Sequence, residues 1–157
     1  MINIYTDGAC KENKKNSGVG GWAFVVLESI VGQDMKIINS DCGQVFGVTN
    51  QQMEIHAVIN AIKSIKKQNC QINLYSDSAY VINCLKDRWY DKWISNGWIN
   101  SKKIPVENKE LWEELIDLIK KHDINFFHIK RNTTKFIRIV DGMAKNASRG
   151  KEPAEYC

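Results

Sequence analysis

Leu74-Tyr75-Ser76-Asp77-Ser78-Ala79-Tyr80-Val81 decides how the chain is read. It opens as a short apolar strand and changes to helical periodicity at Ser78, with Asp77 on the joint. Open α/β sheets place their ligands at the carboxyl ends of strands, where such a residue sits. Three other acidic residues stand at comparable joints. Asp7 ends the strand-like Ile4-Tyr5-Thr6, Glu54 opens a helical pattern, and Asp141 opens another. Four carboxylates from separate elements can thus converge on one point.

Working outward, residues 2–7 read as a strand and Gly8 to Gly21, rich in Gly, Lys and Asn, as a turn-forming loop. Trp22 to Leu27 is a continuous apolar run, expected as a central strand, and Lys36 to Cys42 gives a third. Strands joined without helices imply an antiparallel meander. From Asn50 the period changes: Ile55, Val58, Ile59, Ile62 and Ile65 recur at helical spacing, with Thr49 or Asn50 as the N-cap. Ala57 and Ala61 add a small-residue stripe that lets this helix approach a sheet. The strand Ile72 to Ser76 and the helix from Ser78 follow. Glu110 to Lys121 is expected as a helix, Ile124 to Lys130 as a fifth strand, Asn132 to Arg138 as a loop and Asp141 to Ser148 as a short last helix. A strand–helix–strand–helix order after a meander predicts an α/β fold with a mixed sheet and helices on its faces. The expectation is one domain over 1–149, with 150–157 as a short C-terminal tail.

Length and composition bound the possibilities. At 157 residues, 43% hydrophobic and 25% charged, the chain suits one soluble globular domain. It has no apolar run of the roughly 18–20 residues that a membrane span needs and no signal-peptide pattern at its start. A net charge of +4 is compatible with a polyanionic partner without requiring one. Five cysteines without a C-x-x-C pair argue against a zinc site and read as reduced thiols, hence a cytoplasmic location.

Crowded carboxylates raise one another's pKa unless a cation is present. Their oxygens are hard ligands suited to Mg²⁺, and two such ions can drive phosphodiester cleavage. Taken singly, Asp7, Asp77 and Asp141 are equally good N-caps or turn residues, and Glu54 an ordinary first-turn residue. Spacing alone leaves both readings open.

The residues around the four resemble type 1 ribonuclease H, the family that cuts RNA in RNA–DNA hybrids. Thr6-Asp7-Gly8-Ala9-Cys10, with Gly18-Val19-Gly20-Gly21-Trp22-Ala23 after the loop, resembles its opening motif. Thr49-Asn50-Gln51-Gln52-Met53-Glu54 resembles the second and Ser76-Asp77-Ser78-Ala79-Tyr80-Val81 the third. Trp93 with Asn96-Gly97-Trp98, then Pro105-Val106, Asn108 and Leu111-Trp112, resembles the substrate-handling protrusion and the helix after it. Asp141-Gly142-Met143-Ala144 resembles the last motif. Each is weak alone, and together they run in order from about residue 2 to residue 148.

The resemblance implies a ribonuclease H-like fold: a five-stranded mixed sheet, strands 1 to 3 antiparallel, flanked by helices on both faces. It implies that Asp7, Glu54, Asp77 and Asp141, with the Gly8 backbone carbonyl, hold two Mg²⁺ or Mn²⁺ ions. A metal-activated water would then leave a 5′-phosphate and a 3′-hydroxyl. Asn13, Asn50 and Gln51 fall where the family contacts the RNA strand, and Thr49 and Asn108 where it grips a DNA-strand phosphate; amides suit hydroxyls and Thr or Asn suits phosphate. The partner would be an RNA–DNA hybrid and the protein a monomer. Trp89 and Trp112 read as core, whereas Trp93 and Trp98, near Lys92, Lys102 and Lys103, suit a nucleic-acid handle. Asp91 and Glu107 dilute the protrusion's charge, so weaker binding with a shallower salt dependence is expected.

The pattern departs from the family before Asp141. Type 1 members carry a Gly-His pair ten residues before the last Asp; here that position holds Arg131, with His128 earlier, expected within the strand. Arg131 can serve by holding the departing phosphate or simply solvate a loop. His56 reads as a packing or hydrogen-bonding residue and His122 as a helix C-terminal one. The first loop is longer than usual in the family, and its Lys11, Lys14 and Lys15 read as a solvated rim. Two rival readings remain: a hybrid-binding module without turnover, and a nuclease of the same fold with another substrate.

Overall fold

The computed structural model describes residues 1–11 and 18–150. Asn13, Lys14, Lys15 and nearly all of the expected tail lie outside the described residues. The elements run β1 (Ile2–Cys10), β2 (Val19–Glu28), β3 (Lys36–Phe46), α1 (Asn50–Lys63), β4 (Gln71–Ser76), α2 (Ala79–Lys86), α3 (Trp89–Asn96), α4 (Lys109–Ile119), β5 (Asp123–His128) and α5 (Lys135–Ser148). The strands form one sheet in the order β3-β2-β1-β4-β5. The β1–β2 and β2–β3 pairs are antiparallel, and β4 lies parallel to both β1 and β5. This is the five-stranded mixed sheet that the motifs imply.

Alternation along the central strands builds two cores. Ile4, Phe24, Val26, Ile72 and Leu74 face α1, α2 and α4, where they meet Ile55, Val58, Ile82 and the fully buried Trp112. Tyr5, Ala23, Val25 and Leu27 face the other way, onto Ile137, Val140, Met143 and Ala144 of α5. A strand enclosed on both sides reads as an unbroken apolar run, which is why Trp22 to Leu27 is legible. Leu74 is fully buried, and cutting it to Ala should cost about 2–5 kcal/mol.

Helix α1 starts where the cap chemistry dictates. Thr49 accepts from the Gln52 amide at 3.3 Å, and the Gln52 side chain accepts the Thr49 N–H at 2.8 Å, closing a capping box. Ser78 caps α2 by accepting the Val81 N–H at 3.3 Å. Thr134 caps α5 through Ile137 N–H.

Two segments differ from expectation. Gly8–Cys10 and Val19–Gly21 are strand rather than loop, pairing as Gly8↔Trp22, Ala9↔Gly21 and Cys10↔Gly20. Their glycines serve close packing, not turns: a Cβ on Gly8 would collide with the α1 backbone at Met53 and Glu54, and one on Gly21 with the α5 backbone at Ala144 and Ser148. The expected loop Asn132 to Arg138 contains the first turn of α5, so Asp141 lies inside that helix instead of opening it. Ile137, Val140, Ala144 and Ala147 form one buried stripe, and its packing on the sheet outweighs the polar look of residues 132–135. Glu54 is likewise the fifth residue of α1 and not its first.

The cysteines also divide. Cys70 and Cys84 are free thiols and the Cys10 Sγ donates to the Val48 carbonyl at 3.4 Å, while Cys42 on edge strand β3 is disulfide-bonded, against the reading of all five as reduced. Among the described residues, no helix is long and apolar enough to cross a membrane.

Candidate active site

β1 belongs to two ladders of different length. Its parallel ladder with β4 stops at Thr6↔Ser76, whereas its antiparallel ladder with β2 continues to Cys10. Asp7 stands at that fork and Asp77 one residue past the end of β4. Helix α1 crosses above Gly8 closely enough to bring Glu54 down onto both. One carboxylate oxygen each of Asp7, Glu54 and Asp77 lies within 4.8 Å of the others.

Burial makes this grouping costly without a cation. Asp7 is 2% and Glu54 6% exposed. Burial, then the charges of Glu54 and Asp77, push the Asp7 carboxyl up to about 11. Burial first, then Asp77, pushes Glu54 up to about 8, although the Asp7 side chain and the Gly8 N–H both donate to it. Glu54 Oε2 is buried with no hydrogen-bond partner. An orphaned anionic oxygen facing two more carboxylates fits a divalent metal ion, whose charge reverses the repulsion.

Asp141 stands beside this trio rather than within it. Its side chain hydrogen-bonds Asp7, while Arg131 Nη2 approaches Oδ1 at 3.3 Å and Lys145 Nζ approaches Oδ2 at 2.9 Å. Burial alone would raise its pKa; the Lys145, Asp7 and Arg131 contacts outweigh that and hold it below the usual carboxylate value. Lys145 is one helical turn past Asp141, a spacing visible in the sequence because the expected helix Asp141 to Ser148 contains both.

The groups line an open cleft of about 900 Å³. Asn50 and Gln51 at the start of α1 stand on one side, and Lys11, Arg131, Lys145 and Arg149 line it as well. Asn108, at φ 62° before α4, accepts from Gln52 Nε2 at 3.0 Å and donates to Gln51 Oε1 at 3.4 Å. Gln52, which sequence reasoning assigns no role beyond its motif, therefore ties Thr49 to Asn108. Nothing in the linear order shows that tie, because it joins residues 56 apart.

The protrusion is arranged differently from its sequence reading. Trp112 is core as expected, but Trp89 is 39% exposed. Trp93 is buried, with its ring against Trp98 at 6.0 Å and Trp112 at 5.7 Å, so it has little face to offer a ligand. Trp98 is half-buried, with the Lys109 ammonium 5.9 Å from its ring centre. His128 ends β5, Nε2 3.2 Å from the Asp77 carbonyl oxygen. His56 is half-buried near Glu114 and Lys63, and burial lowers its pKa. His122 Nδ1 accepts the Cys70 N–H at 3.2 Å, just past α4.

Along the chain, the RNase H family pattern covers residues 1–149. The chain belongs to the RNase H family. A ribonuclease H of Thermoanaerobacter sp. (strain X514) is 43% identical over 130 residues, which is 83% of this chain and 77% of that one. Among solved structures, LC9-RNase H1, described as a type 1 RNase H with the type 2 active-site motif, superimposes with a TM-score of 0.83 at 21% identity, covering 98% of this chain and 74% of that one. LC11-RNase H1, solved in complex with an RNA/DNA hybrid, superimposes with a TM-score of 0.70 at 18% identity, covering 96% and 98%. At those identities the structures establish the RNase H fold, and family membership rests on the whole-chain match and the 43% relative.

Proposed function

We propose that this RNase H-family chain is a metal-dependent endonuclease that hydrolyses the RNA strand of RNA–DNA hybrids, giving 5′-phosphate and 3′-hydroxyl ends. The observation that carries the reading is the meeting of Asp7, Glu54 and Asp77 in an open cleft, with a buried Glu54 oxygen left unpartnered. Crowded anions of this kind suit cations and repel the substrate without them. When bound, two Mg²⁺ or Mn²⁺ ions supply a water of lowered pKa and Lewis-acid stabilisation of the phosphoryl oxygens.

The chain's own residues do the rest. Asp7, Glu54 and Asp77 would hold the cations at the carboxyl ends of β1 and β4 in the middle of the sheet, with the Gly8 carbonyl and Asp141 completing the set. Asn50 and Gln51 would read 2′-hydroxyls, the feature by which RNA is told from DNA. Thr49 and Asn108 present donors to a DNA-strand phosphate. Arg131, charged at every relevant pH, holds Asp141 in the resting site and is placed to take the departing phosphate in the family histidine's stead. The protein is read as a monomer.

A labelled RNA–DNA hybrid incubated with Mg²⁺ or Mn²⁺ tests this. Cleavage within the RNA strand, abolished by chelation and by Asp77→Asn, is expected. Binding without cleavage would favour the hybrid-binding module, and restored turnover in Arg131→His would place the defect in the loop. Faster cleavage of double-stranded DNA or RNA would assign another substrate.

A further inference from the structure

The face of the sheet that packs on α5 is only partly covered. The helix lies across β1, β2 and β3, so the β4–β5 end of that face is left open, with Gln71, Asn125 and Phe127 exposed. On this face four rings stand in a row. Phe136, from the first turn of α5, tilts against Tyr5 at 5.5 Å; Tyr5 stacks on Tyr75 at 4.7 Å and 11°; Tyr75 stacks on Phe127 at 5.1 Å and 20°. Phe136 closes one end of the row. The other end finishes on edge strand β5, beyond which no strand lies among the described residues, and Phe127 is 41% exposed.

We infer that the open face of Phe127 is a stacking site for an unpaired nucleobase, in a single-stranded stretch of RNA or DNA adjoining the hybrid. Three observations lead there. An aromatic face accepts any base and is how single strands are commonly held. The segment that follows, residues 129–140, contains Lys130, Arg131, Lys135 and Arg138, all exposed, and no acidic residue, which suits a phosphate backbone. The strand end that carries the ring also adjoins an acidic residue of the cleft: His128, next to Phe127 in sequence, has Nε2 3.2 Å from the Asp77 carbonyl. Alongside, Asn3, Asn73 and Asn125 form an amide ladder across β1, β4 and β5, with contacts of 3.4 and 3.5 Å.

The inference rests on the hybrid as substrate, and the test separates the two. Blunt hybrids are compared with hybrids carrying a short RNA or DNA extension at either end, each with 2-aminopurine at the first unpaired position. At least one extension should tighten binding to the parent about fivefold, within what one base–aromatic stack supplies, and quench the fluorophore. Phe127→Leu, which keeps apolar bulk but no flat face, should abolish both effects, and Phe127→Trp should retain them; all three proteins should cleave blunt hybrid equally. No gain from any extension, or a gain that survives Phe127→Leu, overturns the site. Self-association of the parent that Phe127→Leu abolishes would give this edge to a second copy instead. Free labelled single strands form the last arm: quenching lost in Phe127→Leu supports the ring face even if blunt hybrid is never cut.

Discussion

The two walls of the cleft are built from different chemistry. On the α1–α4 wall, Thr49, Gln51, Gln52 and Asn108 are neutral and bound to one another, with each amide's orientation fixed by its neighbour. On the α5 wall, Arg131 and Lys145 are cations, both engaged by Asp141, and Arg149 stands beyond them. Fixed neutral amides discriminate by geometry at little dependence on salt. Cations attract any polyanion and are screened by salt. On the proposed function, recognition of the duplex would belong to the first wall and general affinity to the second. Between them lie the carboxylates, which belong to neither and repel one another as anions.

The sharpest way to break this division is to remove a central charge. Asp7→Asn or Glu54→Gln should lower turnover on hybrid at least about a thousandfold, the several kcal/mol that Lewis-acid stabilisation supplies. In metal-free buffer the same variants should melt several degrees above the parent. The sign follows from linkage. A carboxyl whose folded pKa is raised contributes stability below its unfolded value and loses it as pH climbs to the folded value. For Glu54 that window runs from the ordinary carboxylate range up to about 8. The metal-free parent should therefore lose melting temperature between pH 5 and pH 8. Added Mg²⁺ should restore more of it at pH 8, and Glu54→Gln should make the profile shallower, leaving the part due to Asp7, whose carboxyl is pushed up to about 11.

The α5 wall is probed through salt. Arg131→Ala and Lys145→Ala should each weaken hybrid binding and reduce the slope of log K against log salt by about 0.7–0.9, one phosphate contact apiece. An unchanged slope would mean that both cations serve Asp141 alone.

The smallest effect is expected on the neutral wall. Gln52→Ala should raise KM for hybrid about threefold with little change in kcat, and Asn108→Ala should add little on top of it. Contacting residues that act as one unit are not additive. Gln52→Glu keeps the acceptor for Thr49 N–H and so keeps the cap, worth about 1 kcal/mol, but loses the donor to Asn108. A melting temperature preserved in Gln52→Glu and lowered in Gln52→Ala would separate cap from clamp. Multiplicative KM effects would dissolve the clamp.

Much of this arrangement is legible in the linear chain, for identifiable reasons. Helix α1 announces itself by apolar spacing and by a Thr49 cap, and β2 by an apolar run that only a doubly buried strand carries. The four acidic residues are visible as acids near strand or helix ends. Their unequal standing is not, since Asp141 separates from the trio only through Arg131, in a loop, and Lys145, a turn further along α5. The extent of β1 and β2 is hidden because glycine has two uses. Composition suggests a turn at Gly8 and Gly20-Gly21, whereas the fold needs bare backbone where α1 and α5 press on the sheet. The start of α5 is obscured because residues 132–135 are polar, and only the pairing of Thr134 with Ile137 reveals a cap. The tryptophans mislead for a related reason: helical spacing puts Trp89 and Trp93 on one side of α3 but does not say which of them the core encloses.

The fork at Asp7 has a practical corollary. Nine consecutive pairings, from Ile2↔Glu28 to Cys10↔Gly20, pin β1 against β2. The catalytic register is thus set by the ladder and not by whatever joins Lys11 to Gly18. That connection can be shortened, lengthened or swapped for a foreign segment, much as a tool head is exchanged on a fixed shaft, while the acidic residues hold their positions. A single residue inserted within Ile2–Thr6 would do the reverse: the strand's alternation would turn Asp7 toward the opposite side of the sheet, and an intact set of side chains would be left with no common meeting point.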